Sequence, residues 1–165
     1  IGIGEIGLDY FHNSDNIREQ QELFEYQLDL AVKYNLPVII HSREATKDTI
    51  DILKKYNLKG VVHCFSGAVE VAKEYIKLGY KLGIGGLVTF KNCTLKERIK
   101  DIGIENIILE TDSPYVTPEP FRGTTNEPTN IPVIAKKISE ILGVSEEKIE
   151  EITTKNCNEI FDFNR

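Results

Sequence analysis

Short apolar runs alternate with amphipathic stretches of helical period along most of this chain, and that alternation restricts the folds open to it. The runs are IGIGEIGLD at 1–9, LPVIIHS at 36–42, KGVVHCFS at 59–66, YKLGIGGLVTF at 80–90 and NIILETDSPY at 106–115. They lack the in–out polarity of strands with one wet face, so they read as strands of a parallel sheet covered on both sides. Between them lie helical patterns. In 16–35, Leu23, Phe24, Gln27, Leu28, Leu30, Ala31 and Tyr34 share one broad face, and Asn16 with Glu19 forms a capping-box pattern at its start. Residues 44–57 repeat Ala45, Thr49, Ile52, Leu53 and Tyr56 at helical spacing, residues 67–79 end on Gly79, and a short helix surrounds LKERIKDIG. After a loop at 116–130, one helix runs from Pro132 to Gly143. A last one starts at the Ser145 cap and turns Ile149, Ile152, Asn156 and Ile160 inward.

The pattern is five βα units in one α/β domain spanning 1–165. His41, His63 and Gly85, each near a strand end, recur at a 22-residue interval. Such regular repetition favours a (β/α)₈ barrel over an open sheet. A complete barrel takes about 250 residues, so the expectation is that only the last five βα units are present. Such a chain exposes two sheet edges, through which copies could self-associate.

The polar residues inside these apolar runs collect at one end. Glu5 lies in the first strand and Asp9 near its end. His41 ends the second, His63 the third, and Glu110 and Asp112 the fifth. In a parallel barrel these ends converge on the face that carries active sites. Two imidazoles and two carboxylates gathered there make a site for a divalent ion, and the ion would offset the cost of burying the carboxylates. A lone histidine in a strand is more often a hydrogen-bonded core residue. Three such residues on corresponding ends of different strands fit a metal site better.

The net charge of −6 gives no global attraction to nucleic acid, so any phosphate binding would rest on local cations or on bound metal. No apolar run approaches the roughly 20 residues of a membrane span. Three cysteines, Cys64, Cys93 and Cys157, without paired spacing point to a reducing compartment and hence a cytoplasmic location.

GEIGLDY, PVIIHSRE, VVHCFSG, LGIGG and LETDSPY occur in that order, followed by FRGTTNEP and TTKNCNEIF. In these segments, which cover the whole chain, the sequence resembles the TatD-like metal-dependent deoxyribonucleases, a branch of the amidohydrolase-type barrels. The resemblance implies a distorted (β/α)₈ barrel holding one or two divalent ions, magnesium or manganese in turnover with zinc permitted. It implies that Glu5 bridges the ions, that His41 and His63 ligate one of them, and that Asp112 ligates the other and acts as general base. Glu5 and Asp112 are then the catalytic carboxylates. The family's first-strand HxH pair has no counterpart here, and the one further histidine, His12, lies in a different loop. The resemblance therefore implies that the chain begins at the family's fourth strand.

Three functions stay open on the sequence. One is hydrolysis of DNA phosphodiesters by metal-activated water. Another is metal-dependent hydrolysis of an ester or amide, such as deacylation of charged tRNA. Thr124 and Thr125 favour that reading slightly, because they stand where the family often carries basic residues. The last is an incomplete, inactive chain. Arg43 and Arg122 are candidates to bind substrate phosphate, the latter with a salt bridge to Glu127 as its structural alternative. Tyr10, Phe11, Phe65 and Tyr115 follow strand ends, where rings could stack on bases or pack under loops. Glu110 is expected to form an internal ion pair.

Overall fold

A computed structural model describes residues 1–163. Five strands, β1 (Ile3–Asp9), β2 (Val38–Arg43), β3 (Gly60–Val62), β4 (Tyr80–Ile84) and β5 (Ile107–Leu109), form one sheet in sequence order, β1-β2-β3-β4-β5. Every neighbouring pair is parallel. Six α-helices cover it: α1 (Ile17–Tyr34), α2 (Thr46–Leu53), α3 (Val69–Lys77), α4 (Leu95–Ile102), α5 (Ile131–Leu142) and α6 (Glu146–Ile160). This is the TIM-barrel-like α/β architecture that the alternation of runs predicts, with the strand ends aligned on one face.

Alignment follows from register. Ile40 lies beside Val62, Val62 beside Leu82 and Ile84 beside Leu109, so the apolar strand residues form continuous rows. Leu8, Val38, Ile40, Leu82, Ile84 and Ile107 are fully buried. They pack with Phe24, Leu28 and Ala31 of α1, Ile99 of α4, Ile134 and Ile138 of α5, and Ile149 of α6. Burying each such side chain favours the folded chain by about 1.5–3 kcal/mol. Gly7 sits opposite His41 at φ +145°. A Cβ there would stand 1.9 Å from the His41 carbonyl oxygen, so only glycine lets β1 approach β2 this closely. The register slips between Ile3 and Ile6, the stretch that carries Glu5. Such irregularities re-aim a side chain beside an active site.

Several local expectations are corrected. On α1 the buried residues are Phe24, Leu28 and Ala31, while Leu23 and Tyr34 are each 57% exposed, so the packed stripe is narrower than the apolar one. Asn16 makes no cap bond to the α1 backbone; its Oδ1 accepts from Gln20 Nε2 instead. The run 80–90 is not one strand: after Ile84 the chain turns at Gly85 into a 3₁₀ turn, Gly86–Thr89. The last strand stops at Leu109, which leaves Glu110 and Asp112 in the loop beyond it. The Ser145 cap is present, its Oγ accepting from the Lys148 N–H at 3.3 Å, and Asn156 bonds backbone, donating to the carbonyls of Ile104 and Ile107.

Candidate metal centre

Glu5 from within β1, His41 from the second half of β2 and His63 from just past β3 come together. One ligand atom from each lies within 4.8 Å of the other two. His41 Nδ1 faces His63 Nε2 at 2.9 Å, and His63 Nδ1 faces Glu5 Oε1 at 3.4 Å. Asp112 stands at the rim of this group, its Oδ1 4.0 Å from His63 Nδ1. It is held there by a left-handed backbone, φ +55°, which aspartate tolerates better than most residues. The structure thus brings together the four sequence-predicted ligands, three as a tight cluster and Asp112 beside it.

The electrostatics suit a cation. Burial lowers the pKa of His63, and His41 lowers it further against the pull of Glu5 and Asp112, which favours the neutral, ligating imidazole. Contrary to the sequence expectation of a buried carboxylate, the Glu5 side chain is 51% exposed, because among the described residues β1 has a strand neighbour on one side only. Two imidazole nitrogens and one carboxylate oxygen form a mixed N/O donor set of the kind that holds a divalent cation. Burial pushes the Cys64 thiol up to about 12, with neighbouring carboxylates adding to it.

Glu110 does not form the internal ion pair expected of it. Its carboxylate accepts the Cys64 backbone N–H and fills the space over Gly83. Burial pushes its pKa up to about 7, against the pull of that N–H. Each arginine expected to bind substrate lies against an aromatic ring. The Arg43 guanidinium lies 3.8 Å from the Phe11 ring centre, and Arg122 lies 4.2 Å from that of Phe90. Arg122 has Glu119 within 3.9 Å, and not Glu127. Phe65 is buried in the core, whereas Tyr115 is exposed.

Arg43, Leu87, Asp112 and Val116 line a cleft of about 360 Å³ together with the two ligand histidines. A second cleft of about 390 Å³ shares Leu87 and Val116 with it and continues past Phe90, Tyr115 and Arg122. Two residues that sequence reasoning left without a role support this region. Asp9 Oδ2 meets His41 Nε2 at 3.0 Å and His12 Nδ1 at 2.7 Å. Burial raises the Asp9 pKa, but hydrogen bonds from the His12 backbone and ring and from His41 outweigh it and hold the group down to about 2. Asn126 donates to the carbonyls of Thr111 and Tyr115 and accepts from Glu127 and Asn130, stitching together the loop that carries Asp112. Its place in the NEP motif was the available signal.

Comparison with known proteins agrees with this geometry. The family model described as TatD related DNase matches residues 1–162. A Bacillus subtilis protein, described as the uncharacterized metal-dependent hydrolase YabD, is 43% identical over 99% of this chain and 66% of its own length. Escherichia coli YcfH, with the same description, is 34% identical over 98% of this chain and 62% of its own. The crystal structure of YjjV, a TatD homologue from E. coli, superposes with a TM-score of 0.91 at 32% identity, over 98% of this chain and 63% of that one. The chain thus spans about two thirds of the length of these relatives. By the match of nearly its whole length to that family model, the chain belongs to the TatD related DNase family.

Proposed function

We propose that this chain carries the metal-binding half of a hydrolase that cleaves phosphodiester bonds in DNA. The observation that carries the reading is the convergence of Glu5, His41 and His63 beside Asp112, with an arginine-lined cleft leading away from them. Glu5, His41 and His63 would hold one divalent cation, and Asp112 with Glu5 would serve a second. When bound, a cation polarises a phosphoryl oxygen and makes water more acidic. The protein's own part is positioning and proton transfer. Asp112 accepts the proton of the attacking water, and Glu5 faces the same His63 nitrogen from β1. Arg43, stiffened by Phe11, and Arg122, stiffened by Phe90, bind the phosphates either side of the scissile one. Exposed Tyr115, in the same cleft as Arg122, offers a ring on which a base can stack. Three free cysteines fit a reducing compartment such as the cytoplasm. Among the described residues no helix is long and apolar enough to cross a membrane.

Ester hydrolysis, as on an acylated RNA end, is the second reading. Thr124, uncharged beside Arg122 in the second cleft, favours it. One assay separates the two: linear DNA and an activated acyl ester, each incubated with manganese or magnesium, with and without chelator. The expected outcome is DNA cleavage that stops with chelator and falls by about 100-fold or more in His63→Ala, as for loss of essential metal chemistry. Chelator-resistant cleavage, or turnover of the ester alone, would overturn the DNA reading.

A further inference from the structure

We propose that Asp9 is a positioning residue that selects which ring nitrogen of His41 is offered to the metal, and that His12 holds Asp9 in place to do so. The inference rests on the metal-centre reading above and deepens it. An ionised carboxylate can only accept hydrogen bonds. Asp9 Oδ2 lies 3.0 Å from His41 Nε2, so that nitrogen carries the proton. The neutral ring then has its lone pair on Nδ1, the atom that faces His63 Nε2 at 2.9 Å, inside the cluster with Glu5. With the proton on Nδ1 instead, His41 would turn an N–H toward the site and could not ligate there. One carboxylate oxygen therefore decides whether the second strand contributes a ligand.

Asp9 is itself held from both ends. Its Oδ1 accepts the His12 backbone N–H at 2.9 Å, and its Oδ2 is shared between the His12 and His41 rings. Its backbone is clamped separately by Gln20 of α1. Oε1 of Gln20 accepts the Asp9 N–H at 2.8 Å, and its Nε2 donates to the Asp9 carbonyl at 3.1 Å. Gln20 thus fixes the Asp9 backbone without the carboxylate, and Asp9→Ala should keep the end of β1 in place while removing the acceptor. His12, with a side chain 66% exposed, lies outside the cluster and is joined to His41 through the Asp9 carboxylate.

The test uses two readouts on the same protein. Long-range proton–nitrogen NMR of the chelator-treated chain at pH 8, above the ordinary imidazole range, gives the tautomer of each ring. With only three histidines, His12→Ala and His63→Ala assign the signals. Zinc titration calorimetry gives the affinity. The expected results are an Nε2–H tautomer for His41 in the wild type, its loss in Asp9→Ala, and a 10- to 100-fold weaker zinc affinity in that variant, the usual cost of losing a partner behind a ligand histidine. His12→Ala should keep the tautomer and weaken zinc by less than Asp9→Ala does. A wild-type His41 protonated on Nδ1, or an Asp9→Ala variant with unchanged tautomer and zinc affinity, would overturn the inference. If the wild type takes up no zinc, the metal-centre reading fails, and the tautomer of the metal-free chain still decides for or against Asp9.

Discussion

At the scale of single residues, Glu110 has the most demanding environment. Its carboxylate is buried with no ion-pair partner among the described residues, accepts the Cys64 N–H, and occupies the space a side chain at position 83 would need. A Cβ on Gly83 would stand 2.2 Å from Glu110 Oε2. That oxygen belongs to a flexible side chain, but burial and the bond to Cys64 leave it nowhere to go. Gly83→Ala should therefore cost about 1–3 kcal/mol, as overpacking does. Glu110→Ala should cost a similar amount by stranding the Cys64 N–H. The two losses should not add. With the carboxylate gone, the new methyl fits, and the double variant should be more stable than the sum by at least about 1 kcal/mol. Urea unfolding of the four proteins measures this coupling, and additivity within about 0.5 kcal/mol would show that Glu110 moves freely. The sequence made Glu110 visible as a polar residue after an apolar strand but could not say what it meets. Glu5, His41 and His63 were legible because their neighbours in sequence form ordered motifs. Asp9 bonds to His41, 32 positions away, and no local pattern reports such a contact.

Elements were legible by type more readily than by extent. Apolar runs announced all five strands, yet β3 and β5 are only three residues long, since the ladder of hydrogen bonds ends before the apolar run does. The chain leaves the sheet where its side chains begin to face the site. The loop after β5 is therefore functional structure without regular hydrogen bonding, and Asn126 substitutes for the missing ladder. Its amide donates to the Thr111 carbonyl on one side of Asp112 and the Tyr115 carbonyl on the other, at 2.5 and 2.7 Å. Asn126→Ala should release this loop without touching Glu5, His41 or His63. We expect zinc affinity to stay within about threefold of wild type, and turnover to fall by about 100-fold because Asp112 is no longer held in position. Stability should drop by about 1–3 kcal/mol from the stranded carbonyls. Calorimetry, kinetics and thermal unfolding on one preparation check the three parts. Equal loss of zinc affinity and turnover would mean that the loop supports the whole site and not Asp112 alone.

Across the whole molecule, the sheet has a consequence that no single strand reveals. Among the described residues β1 and β5 each have one strand neighbour, so each presents a row of backbone N–H and C=O groups to its open side. Unpaired edges of this kind recruit other strands. The open side of β5 adjoins an apolar groove of about 510 Å³, lined by Ile108, Leu109 and Ala135 with α6 residues such as Cys157. The net charge of −6 opposes the approach of two copies, and salt weakens that repulsion. We therefore expect this 165-residue chain to self-associate, with a mass by light scattering above the 18.7 kDa of one copy that grows with concentration. Raising the salt from about 50 to about 500 mM shortens the screening length severalfold and should increase association. Association driven by opposite charges would instead weaken with salt. A constant 18.7 kDa across both series would show that the edges are blunted by their own side chains, and the open sides of β1 and β5 would then be features of the sheet with no role in assembly.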